Sequence, residues 1–149
     1  MKRLLTALAF LPVAAFADPL KVENAYVPLA PPSSMAHAAY MELRNQSDAS
    51  KELVGVSAEG YGMAHLHISE ENNGVATMSA VHMLQISADS AVTFAPGGLH
   101  IMLMHPQVPQ AEGDHVHITL TFADGGTQIV VAKVMKASAH AHMLHNHGS

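Results

Sequence analysis

Two histidines and two methionines, His67, Met78, His100 and Met102, are the residues of this chain best able to do chemistry as a set. Ten residues separate the first His from the first Met, twenty-one more precede the second His, and one separates it from the second Met. Imidazole is a borderline ligand and thioether a soft one, so two of each favour Cu(I) over hard, oxygen-seeking cations. A thioether neither takes a proton nor forms a disulfide, and such a site stays usable where thiols would oxidise. Singly, a methionine reads as gap-filling core and a histidine as a structural residue. It is the four together that carry the metal reading.

Strands must position these residues. Apolar residues recur mostly at period two, with turn signals every eight to twelve residues, a pattern that argues for an all-β sandwich or barrel. The expected strands are Leu20–Val27, His37–Arg44, Glu52–Ala58, Met63–Ser69, Val75–His82, Ala91–Phe94, His100–Met104, His115–Phe122 and Thr127–Val134. Asn45–Ala49, Asn72–Gly74, Pro96–Gly98 and Asp124–Gly126 carry turn chemistry, and the Pro- and Ser-rich stretch from Pro28 to Ser34 reads as a loop. In His115–Phe122 the alternation is clean and turns Val116, Ile118, Leu120 and Phe122 inward. A hairpin with Asn72-Asn73 as its loop sets His67 directly opposite Met78; an Asn73-Gly74 turn makes them diagonal neighbours. In either register their Cβ atoms lie within roughly 5–8 Å. His100 and Met102, two apart on one strand, share a face.

Composition narrows the setting. Lys2 and Arg3, the apolar run Leu4 to Phe16 and the small-x-small Ala15-Phe16-Ala17 read as an export signal cleaved after residue 17. The expected organisation is therefore a signal peptide over 1–17, a copper-binding β-sandwich over 18–135 and a tail over 136–149. That makes the protein an exported one, with no stable membrane insertion expected. The absence of cysteine excludes disulfides, blue-copper ligation and thiolate nucleophiles. Seven basic residues against twelve acidic ones, with no Lys/Arg cluster, make nucleic acid an unfavoured partner. No Ser/His/Asp or paired-carboxylate constellation stands out, and no third histidine completes a redox copper centre, so an enzyme is not expected.

The surroundings of the four residues resemble a known family. Pro96-Gly97-Gly98-Leu99-His100-Ile101-Met102-Leu103-Met104, then Glu112-Gly113-Asp114, then Leu120-Thr121-Phe122-Ala123-Asp124-Gly125-Gly126-Thr127 are similar, in order and spacing, to segments of the periplasmic copper chaperones of the PCuAC family. Val22-Glu23-Asn24-Ala25-Tyr26-Val27-Pro28 and Ala39-Tyr40-Met41 to Asn45 resemble its first two strands, so the likeness covers about residues 20 to 135. It implies a cupredoxin-like antiparallel β-sandwich or Greek-key barrel with an exposed Cu(I) site at His67, Met78, His100 and Met102. It also implies a periplasmic location and delivery of copper to an extracytoplasmic acceptor, such as the copper subunit of cytochrome c oxidase or its assembly factors. The chain departs from the pattern at Ile68, where a polar or charged residue is usual, and at His105-Pro106, where a Gly-Leu turn is usual.

Other histidines and methionines surround this set. His65 shares a strand face with His67 and reads as a neighbour of the site; Met104 follows Met102 at period two and His105 adds an imidazole nearby. His115 and His117 share the solvent face of their strand. His140, His142, Met143, His145 and His147 crowd the last ten residues, a metal-binding composition. Such a tract suits Cu(II), or a second copper, while the Met/His set suits Cu(I). The leading expectation is a copper chaperone; the alternative is a periplasmic protein that only sequesters or buffers copper.

Overall fold

The structure, a computed structural model, describes residues 20–136 and contains strands and turns without a helix among them. The strands are β1 (Leu20–Pro28), β2 (Ala36–Asn45), β3 (Lys51–Ala58), β4 (Tyr61–Asn72), β5 (Val75–Ala80), β6 (Leu84–Ile86), β7 (Ser90–Phe94), β8 (Leu99–Pro106), β9 (His115–Phe122) and β10 (Thr127–Met135). Nine of them coincide, within a few residues at the ends, with the strands expected from alternation. The unexpected one is β6, which at three residues is too short to show a period.

Hydrogen bonds link the strands in the order β5-β4-β8-β2-β1-β10-β9-β3-β6, with β7 also on β2. The sandwich arises because β2 serves both halves. Its first part, Ala36 to Ala39, pairs with β8, while Tyr40 to Asn45 pair with β1 and β7. The β1–β10 pairing is parallel and the remaining pairings are antiparallel. An extra residue in β1 between Glu23 and Tyr26 shifts its register against β2, with Asn24 at φ 52°. This is a bulge, and it bends the strand.

Inward residues from both halves meet in one core. Val27, Leu43, Leu53, Ile86, Ile101, Leu103, Ile118, Leu120 and Val134 are fully buried. Val116, Ile118, Leu120 and Phe122 form the inward row of β9, as its alternation requires. With no cysteine in the chain, this packing carries the stability; truncating one such Leu or Ile to Ala costs about 2–5 kcal/mol.

Two turns position the site. Between β4 and β5, Asn73 and Gly74 both have positive φ, 52° and 77°, the requirement of a type I′ hairpin turn. Between β7 and β8, Gly98 N–H donates to the Ala95 carbonyl at 3.1 Å across Pro96 and Gly97, and Gly97 has φ 77°. Proline second and a left-handed glycine third describe a type II turn.

Candidate metal centre

The site lies on the outer face of β5, β4 and β8. On the inner face Ala64, Leu66, Ile101 and Leu103 are buried in the core, so the alternate residues of both strands stand outward. β4 pairs with β8 such that His67 is opposite His100 and His65 is opposite Met102. β5 sets Ala80 opposite His67 and Met78 opposite Ser69, the register of the Asn73-Gly74 turn. Met78 is therefore the diagonal neighbour of His67, and its Sδ lies 3.1 Å from His67 Nδ1. The rings of His67 and His100 are 5.9 Å apart at 77°. Met102 occupies the next rung of the same face.

Both imidazoles are held in a state that could take a metal. The Gly98 carbonyl can only accept, so the 2.9 Å contact with His100 Nδ1 places the proton on Nδ1 and leaves the Nε2 lone pair available. The same carbonyl accepts Ser69 N–H at 3.0 Å, so the type II turn, β4 and the His100 ring are tied at one oxygen. Desolvation holds the His67 pKa below its ordinary value of 6.5, reinforced by His100 and then His65. A histidine held neutral need not shed a proton before it coordinates. Exposure is graded across the site: His100 is 4% exposed and Met78 52%. His100 is anchored in the protein, and Met78 is open to an approaching molecule. Among the described residues no group of three or more His, Asp or Glu could hold a metal ion, so the thioethers are needed to complete a donor set.

Tyr40 escaped the sequence analysis. Its ring centroid is 6.5 Å from that of His100 and 5.3 Å from that of Tyr26, so it walls the buried side of the site. Burial raises its pKa above the ordinary tyrosine value. The only signal was its place on β2, where Ala36 and Ala38 oppose Met104 and Met102. Small side chains there leave the thioethers room.

The remaining sequence-selected residues fall in several places. The His65 ring lies parallel to that of His67, 6.4 Å away. Met104 is opposite Met63, one rung below Met102. His105 sits near the end of β8 at φ 55°, with its Cβ close over Gly62. His115 is exposed, and His117 Nδ1 is 3.1 Å from the Glu59 carboxylate. His37 is buried against Tyr61. His140, His142, Met143, His145 and His147, and the expected signal peptide, lie outside the described residues.

The profile of the family described as "Putative lipoprotein LpqE-like" matches residues 20–134. The chain belongs to the LpqE-like family. A relative from Leifsonia xyli, "Putative lipoprotein Lxx21020", is 34% identical over 119 residues, covering 79% of this chain and 70% of that protein. An uncharacterized Rickettsia prowazekii protein is 37% identical over 98 residues, 65% of this chain and 54% of its own length. Among solved structures, the Cu(I) form of DR1885 from Deinococcus radiodurans superposes with a TM-score of 0.66 at 38% identity, covering 83% of each chain. The copper-bound PCuAC domain of PmoF2 gives 0.67 at 23% identity, over 80% of this chain and 94% of that one. The fold of this LpqE-like protein is thus the all-β, cupredoxin-like sandwich of PCuAC domains.

Proposed function

We propose that this protein is a copper carrier of the cell envelope, binding Cu(I) through His67, Met78, His100 and Met102 and passing it to an acceptor protein. The observation that carries the reading is the 3.1 Å approach of His67 Nδ1 and Met78 Sδ beside His100, on a face whose outer ligand is half exposed. Cu(I) takes soft thioether and imidazole donors. Because the donors are separate neutral groups, they can be replaced one at a time by an acceptor's ligands. Carriage rather than catalysis fits a set with no nucleophile, no paired carboxylates and no His-dominated redox centre. DR1885, 38% identical and solved with Cu(I), supports the choice of ion. The lipoprotein description of the family supports an envelope location, and the leader-like residues 1–17 support export to the periplasm. The dinuclear copper centre of cytochrome c oxidase is the acceptor we favour.

The His/Met-rich last ten residues favour a second reading, copper buffering, in which the tail gathers Cu(II). The deciding experiment has two steps. Titration of residues 18–149 with Cu(I) should give a high-affinity equivalent that disappears in Met78→Leu plus Met102→Leu; if it persists, the four residues are not the site. Mixing the Cu(I)-loaded protein with an apo copper-acceptor domain should then transfer the ion rapidly. Retention against the domain, with loss only to a free chelator, would favour the buffer.

A further inference from the structure

Below the four-residue set, the same sheet face continues as a ladder of soft donors. Met63 stands opposite Met104 across β4 and β8, one rung beyond His65 and Met102. Residues directly opposite in an antiparallel pair have Cβ atoms about 4.5–5.5 Å apart, and rungs two residues along are about 7 Å apart. Two thioethers and the His65 imidazole therefore fall within reach of one point. Met63 is 46% exposed, and His65 is exposed as well. Core packing does not account for an outward methionine at that exposure. The partner of Met104 on its other side is Ala36, which leaves that thioether space to turn. Tyr61, the next outward position of β4, is turned into the core and bonded to His37, so it closes the ladder.

We propose that Met63, His65 and Met104 form a second Cu(I) site, one rung from the first, through which the ion enters or leaves. The proposal deepens the copper-carrier reading and rests on it. Three donors, two sulfur and one nitrogen, hold Cu(I) less firmly than four, which suits a station that must release. The His65 ring, parallel to His67 and 6.4 Å from it, makes the step between sites a short one. Met102, opposite His65, borders both sites and can stay bound while the other ligands exchange. The ion keeps its charge throughout, so no electron or proton donor is needed.

The test is anaerobic Cu(I) titration of residues 18–149 carrying 13C-methyl methionine and 15N-histidine, followed by NMR, which reads each thioether and each imidazole separately. The first equivalent should shift Met78 and Met102. The second should shift Met63 and Met104 together with the His65 ring. In Met63→Leu plus Met104→Leu, two outer-face changes that leave the core intact, the first-equivalent shifts should persist and the His65 response should vanish. If the second equivalent moves Met143 and the tail histidines while Met63 and Met104 keep their apo positions, the second site is overturned and the carrier reading stands. If the first equivalent leaves Met78 and Met102 unmoved, the carrier reading fails and takes this proposal with it.

Discussion

One buried pair at the far end of the ladder contributes to how the protein tolerates both acid and base. His37 Nδ1 lies 2.8 Å from the Tyr61 hydroxyl. Burial lowers the His37 pKa and raises that of Tyr61 to about 12, so the hydrogen bond joins a neutral imidazole to a neutral phenol. Folding lowers the proton affinity of His37, hence its contribution is complete above its ordinary pKa of 6.5 and is lost as pH falls from there through the lower folded value. Tyr61 behaves oppositely: its contribution holds below its ordinary value of 10.0 and is lost as pH rises from there to about 12. Melting temperature should therefore plateau between those limits and decline on both sides. Tyr61→Phe should shrink this alkaline decline to the part that Tyr26 and Tyr40, also raised by burial, still contribute, and, by leaving a buried imidazole without its partner, cost about 1–3 kcal/mol on the plateau. Melts indistinguishable from wild type at every pH would show that the pair contributes nothing. His37 had no visible partner in the sequence, because Tyr61 is 24 residues away and only the fold joins them. The proposed copper ligands could be picked out because their residue types are chemically distinctive at fixed spacing. Tyr40 could not, since an aromatic residue on a strand looks the same whether it walls a site or fills a core.

Among the elements, the β4–β5 hairpin is the one whose register the site depends on most. Every residue of β5 is exposed, so no buried face pins its pairing and the turn alone must fix it. Asn73 and Gly74 do so with left-handed backbones that other residues adopt with strain. One residue inserted between them should move Met78 to the opposite face of β5. The outcome expected is a Cu(I) affinity lowered by about tenfold or more, roughly 1.4 kcal/mol, with an unchanged melting temperature. Unchanged affinity would mean that Met78 is not a ligand or that β5 repairs its register. Gly74→Ala is milder, straining the turn by about 1 kcal/mol without shifting the pairing. Two registers were compatible with the sequence around this turn, and both kept His67 and Met78 adjacent. The dihedral preference of Asn-Gly picks the one found. The strand alternation was equally readable where one face is buried, as in β9, and failed at β6, where three residues cannot show a period.

At the scale of the whole molecule, the sandwich holds a proposed Cu(I) site on one outer face and leads at its C-terminus into a tract of five His and Met residues. That tract lies outside the described residues, and the strand alternation of the sequence ends before it. The two halves of the protein should differ by oxidation state. An imidazole-rich tract suits Cu(II), and two thioethers with two imidazoles suit Cu(I). Leu53, Leu103 and Ile118 are fully buried among the described strands, which run to Met135. Truncation after Ala137 should accordingly leave the fold and the Cu(I) equivalent intact and abolish Cu(II) binding, measured by parallel titrations of both ions. Unchanged Cu(II) stoichiometry would move Cu(II) onto the sandwich, where exposed His115 and His117 would be the next residues to replace. Loss of Cu(I) binding on truncation would mean instead that the tail supplies a ligand to the outer face, and that the four-residue set is incomplete without it.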